Sequence, residues 1–286
     1  MTLRTPQSGN DEQSPPDSPV SWGILGAGML GLTLALRLAE RGERVTVIDA
    51  ASEPGGLASA WEVGGVHWDR YYHVISGADM ALRELLGELD LTDDLRFRIT
   101  RTNLFDGTQL WPLNNAFDYL RLPALSMLDK LRIGATILRA SRIRDLRALE
   151  STSAEQWLTQ LGGQSAWKRL WRPLLRSKLG RNIDHASAAY MCSVIHRFYG
   201  ARQGGAQREM FGYVRGGYGH IVATLVERLR ALGVQFVNDA PVREVVREEN
   251  CLRVDTSRGS SRSNNAGVTL AAPLAARIYH DLKHDV

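Results

Sequence analysis

Short apolar runs alternate along this chain with apolar positions at helical spacing. Val20–Leu25 is the first run and predicts a strand. Leu30–Arg41 carries a helical apolar pattern closed by Gly42, and Val45–Ile48 is a second, β-branched strand. Strand, glycine turn, helix and strand occupy about thirty residues, the size of one βαβ unit. Met80–Leu89 puts Leu82, Leu85, Leu86 and Leu89 on one helical face, and Asn103–Trp111 reads as a hairpin turning at Asp106-Gly107. The middle of the chain is predicted helical over Leu122–Arg142, Ala154–Leu161 behind Ser153 as cap, Ala166–Lys178 and Ala186–Arg197. From Gly216 the alternation returns, with a helix over His220–Leu232 and strands over Val234–Val237, Val242–Val246, Leu252–Asp255 and Val268–Ala271. The Ser/Asn-rich stretch Arg258–Gly267 reads as a loop. The pattern predicts an α/β domain made of 20–75 and 206–286, split by a mostly helical insertion over 76–205. Met1–Pro19, with four prolines among polar residues and no basic lead into a cleavage site, is expected to be a disordered tail.

Composition narrows the function classes. With 286 residues, 44% of them hydrophobic and 23% charged, the chain has material for one large or two smaller packed domains, and collagenous, coiled-coil and disordered readings fall away. Val20–Leu36 has no charge but contains four glycines and falls short of the ~20 apolar residues of a membrane span. Cys192 and Cys251 cannot build a disulfide framework, so a reducing, cytoplasmic setting is expected. A net charge of +4 does not call for nucleic acid, and Trp157, Trp167 and Trp171 fall on predicted helices rather than in a nucleic-acid motif. Basic charge is uneven, however: Arg121–Arg147 holds seven Lys/Arg against two Asp, and Lys168–Arg181 six against none. Within Leu122–Arg142 the stripe Leu128, Leu131, Ala135 and Leu138 is edged by Arg132 and Arg139. Three readings fit: the solvated rim of a core helix, peripheral membrane contact through 121–147, or attraction of a phosphate-bearing substrate.

The motif that carries chemistry is Gly26-Ala27-Gly28-Met29-Leu30-Gly31, a G-x-G-x-x-G between predicted strand and helix. The first glycine permits the tight turn, the second lets backbone N–H groups approach a pyrophosphate, and the third lets helix and strand pack closely beneath the positive end of the helix dipole. Asp49 ends the next strand, 23 residues after Gly26, where an acid accepts hydrogen bonds from a ribose diol. Gly55-Gly56-Leu57-Ala58-Ser59 and then Gly64-Gly65 follow closely, more backbone freedom than a nicotinamide dinucleotide asks for and suited to a flavin dinucleotide.

On these residues the chain resembles the FAD-dependent amine oxidase, protoporphyrinogen oxidase and phytoene desaturase superfamily, with the related UDP-galactopyranose mutase-like flavoproteins. Leu57 stands where many members carry Arg. Leu104–Gly107 with Leu110–Leu113, Trp171–Leu175 and Gly216–Gly219 are similar to later segments of those proteins. The resemblance implies a Rossmann-type domain holding FAD through Gly26, Gly28, Met29, Leu30, Gly31, Asp49, Gly55, Gly56, Leu57 and Ala58, with the backbone of Val242 on the adenine. It places His67, Asp69, Tyr72 and His73 as candidate flavin or substrate contacts. It implies an oxidoreductase passing hydride from a small organic substrate (an amine, a porphyrinogen or a polyene) to flavin. A mutase-like isomerase acting on a nucleotide sugar, with Arg172, Arg176 and Lys178 on its diphosphate, is the second reading. Members of the family continue past the position of Val286, so a truncated, non-catalytic FAD-binding remnant is the third. Spacing alone identifies no catalytic base and no metal site, because His67, Asp69 and His73 have no Cys or His cluster nearby.

Overall fold

The computed structural model describes residues 2–4, 20–71, 73–101, 103–112, 116–200 and 210–279. Two compact units emerge: one from Met1–His73, Leu82–Arg96 and Tyr213–Val286, the other from Val74–Ala81 and Phe97–Gly212. The first holds a five-stranded sheet in the order Thr2–Arg4, Asn265–Val268, Ser21–Leu25, Arg44–Ile48, Gln235–Val237. All neighbours run parallel except the first pair. The α/β reading is therefore correct. Its two central strands, Ser21–Leu25 and Arg44–Ile48, are apolar runs buried on both faces, as parallel sheets require: Ile24, Leu25, Val47 and Ile48 are all but inaccessible to water. Helices Met29–Ala39 and Gly217–Ala231 add Leu32, Leu36, Ile221 and Leu225 to the fully buried set. Thr2–Arg4, expected in a disordered tail, pairs with Asn265–Gly267, while 5–19 lie outside the described residues.

Helix Met80–Glu88, expected within the insertion, belongs for most of its length to the first unit, where Glu88 pairs with Arg37 at 2.7 Å. The stretch read as a loop, Arg258–Gly267, instead holds the strand Gly259–Ser263, third in an antiparallel meander with Val242–Arg247 and Leu252–Thr256, and the start of Asn265–Val268. Its serines satisfy themselves within the meander. Ser260 Oγ donates to Asp255 at 2.6 Å and buried Ser263 Oγ to the Asn265 carbonyl at 2.8 Å.

The second unit has a helical core built on Ile133, Trp157, Leu158, Trp167, Leu170 and Cys192. The predicted helix Leu122–Arg142 is shorter, Met127–Ala140, and a separate helix, Ala116–Arg121, ends just before the predicted start. Pro123 cannot donate in a helix interior. Ser126 then restarts the chain with a capping box, its hydroxyl accepting from Asp129 N while the Asp129 carboxylate accepts from Ser126 N. Ala166–Lys178 is helical but widens to π geometry over Trp167–Trp171 before Pro173 opens the helix Arg172–Leu179. The hairpin forms as read, Asn103–Phe105 against Leu110–Pro112 around Asp106-Gly107.

Candidate cofactor site

All of the site lies in the first unit and is built on the turn between the first parallel strand and its helix. Gly26 has φ +108, and its N–H donates to the Ile48 carbonyl at 2.8 Å. A Cβ there would come within 2.8 Å of Thr269 Oγ1, itself fixed by donation to the Leu25 carbonyl at 2.9 Å. At Gly31 a Cβ would collide with the Gly26 carbonyl oxygen. Gly28 is different: a Cβ there meets no atom within 4 Å. Gly28 is also the N-cap of helix Met29–Ala39, with no side-chain cap and no acidic residue in the first turn. Amides of Met29 and Leu30 thus start the helix at its positive end beside open space.

A second glycine turn lies against the first. Gly55, at φ +136, donates to the Ala27 carbonyl at 2.8 Å and bridges Gly28 in parallel. A Cβ on Gly56 would sit 3.1 Å from Gly28 Cα, so the two turns meet backbone to backbone. Gly56–Ala58 makes one 3-10 turn, Leu57 is 69% exposed, and Ser59 Oγ is buried without a hydrogen-bond partner among the described residues. Ser59 lies against Gly55, and its orphaned hydroxyl suits a polar ligand.

Asp49 does more than wait for a ribose. Its Oδ2 accepts from Ala27 N at 2.6 Å and its Oδ1 from Ala51 N at 2.8 Å, so the carboxylate ties the glycine turn to the end of its strand. Asp49 also lines a cleft of about 420 Å³ with Gly26, Ile48, Val242, Arg243 and Arg277. The structure therefore brings Gly26, Asp49 and Val242, 216 residues apart at the extremes, to the wall of one cleft. The two arginines were missed. Nothing in their local sequence marks them, because only the packing of Ala272–Ile278 beside the strand starting at Val242 brings them to the cleft.

The aromatic–polar cluster is divided. Asp69 is buried, and its carboxylate accepts from Tyr213 OH at 2.6 Å and Tyr218 N at 2.8 Å. Burial, then that hydrogen bond, pushes the Tyr213 phenol up to about 12. Gly217, at φ +72, has no room for a side chain because a Cβ would lie 2.6 Å from Asp69 Oδ1. Asp69 thus locks the hairpin Ala60–Asp69 to helix Gly217–Ala231. His73 lies with its ring 4.9 Å from that of Tyr218, whereas His67 is exposed opposite Glu62 on the hairpin. Tyr72 lies outside the described residues. Gly64 and Gly65, both at positive φ, form the tip of this hairpin rather than a wall of the cleft.

Comparison with known proteins identifies the family and the fold. The chain is similar to a zeta-carotene desaturase of Synechocystis sp., 22% identical over 245 residues, covering 78% of this chain and 50% of that protein. It is similar also to a 15-cis-phytoene desaturase of Synechococcus elongatus, 24% identical over 243 residues with the same coverage. The chain spans about half the length of these curated relatives. In fold it resembles the crystal structure of a putrescine oxidase variant, with a TM-score of 0.72, 20% identity, and coverage of 92% of this chain and 60% of that one. The family model for flavin-containing amine oxidoreductases matches residues 30–277, and the chain belongs to that family.

Proposed function

We propose that this chain binds FAD through the paired glycine turns and serves a flavin-dependent oxidoreductase. The observation that carries the reading is Gly28, where a missing side chain leaves open space in front of an uncapped helix N-terminus. In this reading the pyrophosphate lies on the amides of Gly28–Gly31, with Gly55, Gly56, Leu57 and Ala58 as the opposite backbone wall. The ribose takes the free lone pairs of Asp49, and the adenine lies in the cleft along Val242, with Arg243 and Arg277 at its edge. Ser59 Oγ, without a partner among the described residues, would gain one. When bound, the flavin supplies a hydride acceptor for a small organic substrate. The chain's own residues hold and orient it: Thr269 and Asp49 fix the turn, and Asp69 fixes the hairpin over helix Gly217–Ala231. Relatives named as carotene desaturases favour a polyene over an amine among the substrates considered.

Gly28→Val tests this reading. The variant should fold, because its side chain meets open space, yet take up FAD at least tenfold more weakly, read as flavin absorbance retained after gel filtration. Asp49→Ala should weaken uptake less while also loosening the turn, since its loss frees Ala27 N. A Gly28→Val chain that binds FAD as tightly as the parent would overturn the proposal.

A further inference from the structure

The helix Met127–Ala140 is apolar on two opposite sides. Its inner side, Ile133, Thr136 and Ala140, is buried in the second unit's core. About half a turn away, Met127, Leu128 and Leu131 are 64%, 55% and 66% exposed, and Leu138 and Ala135 continue the stripe in the open. The sequence stripe Leu128, Leu131, Ala135, Leu138 is thus not the core face. A helix side that met only water would be polar. Leu120, at the end of the preceding helix, is exposed as well, and its carbonyl accepts from Lys130 Nζ at 2.7 Å.

Basic residues rim this apolar strip. Arg132 and Arg139 lie along one edge, Arg142 just past the last turn and Arg121 before the first, all exposed and none in an ion pair among the described residues. Of the two acids in Arg121–Arg147, Asp129 is buried in the capping box, which leaves Asp145, while Asp118 lies in the preceding helix. We infer that this helix seats the protein on an anionic lipid bilayer. Its leucines would enter the boundary of headgroups and acyl chains, and its arginine stems would snorkel to lipid phosphates. Charge complementarity selects the occupant: the aliphatic strip and its arginine edge match the two layers of an anionic bilayer, acyl boundary and headgroup phosphates. Among the described residues no helix is long and apolar enough to cross a membrane, so the contact is a lying one.

Sedimentation of the full chain with sucrose-loaded vesicles tests this. Phosphatidylcholine vesicles containing about 30% phosphatidylglycerol should bind it, and pure phosphatidylcholine vesicles should bind it roughly tenfold less. Leu131→Asp with Leu138→Asp, and separately Arg132→Glu with Arg139→Glu, should each lower partition roughly tenfold or more with unchanged circular dichroism. Leu232→Asp, at an exposed leucine of the other unit, should change nothing. The proposal is overturned if anionic vesicles do not sediment the chain, or if only the arginine pair matters, which would mark simple phosphate attraction. It is equally overturned if the leucine pair instead dissolves a dimer seen by gel filtration.

Discussion

Gly28 and Gly31 stand in one motif for different reasons, and substitution separates them. At Gly31 the space is filled by the carbonyl of Gly26, so Gly31→Ala forces the turn and the first helix apart. It should cost about 2–4 kcal/mol in chemical denaturation, whereas Gly28→Ala should stay within about 1 kcal/mol of the parent. Equal losses at both positions would show that the turn is spaced differently. The phenol of Tyr213 offers a second test. Tyr213→Phe removes a donor to the buried Asp69 and should cost about 1 kcal/mol at neutral pH, the phenol being partly exposed. The Tyr213 phenol is raised to about 12 by burial and by Asp69, so its contribution is whole below the ordinary tyrosine range near 10 and vanishes as pH rises through about 12. Parent and variant stabilities should therefore converge in strong alkali. Asp49 was legible because its spacing from the glycines is a local matter. Asp69 was legible only as a polar residue in a suggestive place, since its partners Tyr213 and Tyr218 arrive from 144 and 149 residues away.

Among the elements, the helix Met127–Ala140 shows how a period can be legible while the side that meets the core is not. Leucines at helical spacing gave the helix, but the residues that bury it, Ile133, Thr136 and Ala140, follow the same period on the other side. Nothing local says which side meets the core. Its start was legible in Ser126-x-x-Asp129, behind Pro123, although the apolar spacing hid it. Ser126→Ala should cost about 1 kcal/mol by thermal unfolding. Asp129 carries the pH dependence. Its carboxyl is held below the usual range chiefly by the Ser126 hydroxyl and further by Ser165. A lowered native pKa stabilises above the unfolded value near 4, and the benefit is lost as pH falls through the native one. Asp129→Asn should flatten that acid limb of the stability curve, and an unchanged limb would contradict the capping box. The strand Gly259–Ser263 escaped because Ser-rich composition suggests a loop, while what makes it a strand is its antiparallel pairing with Leu252–Thr256.

In the whole molecule, the alternation of strands and helices at both ends of the chain was enough to give one parallel sheet assembled from distant segments. The order of that sheet was not legible, because Asn265–Val268 inserts between the two ends of the chain's first strands only through pairing with Ser21–Leu25 on one side and Thr2–Arg4 on the other. Nor was the assignment of Leu82–Arg96, which depends on contacts such as Arg37–Glu88. The sheet, the meander strand Val242–Arg247 and the helix Ala272–Ile278 together bring the glycine turn, Asp49 and Val242 to one cleft, where the proposed function seats the adenylate. Equilibrium dialysis of FAD and FMN against the chain tests that claim most directly. The two flavins share the ring system but only FAD has the adenylate. The account predicts that FAD binds and that FMN binds at least tenfold more weakly, a difference of about 1.4 kcal/mol or more. FMN bound as tightly as FAD, or no FAD bound at all, would contradict it.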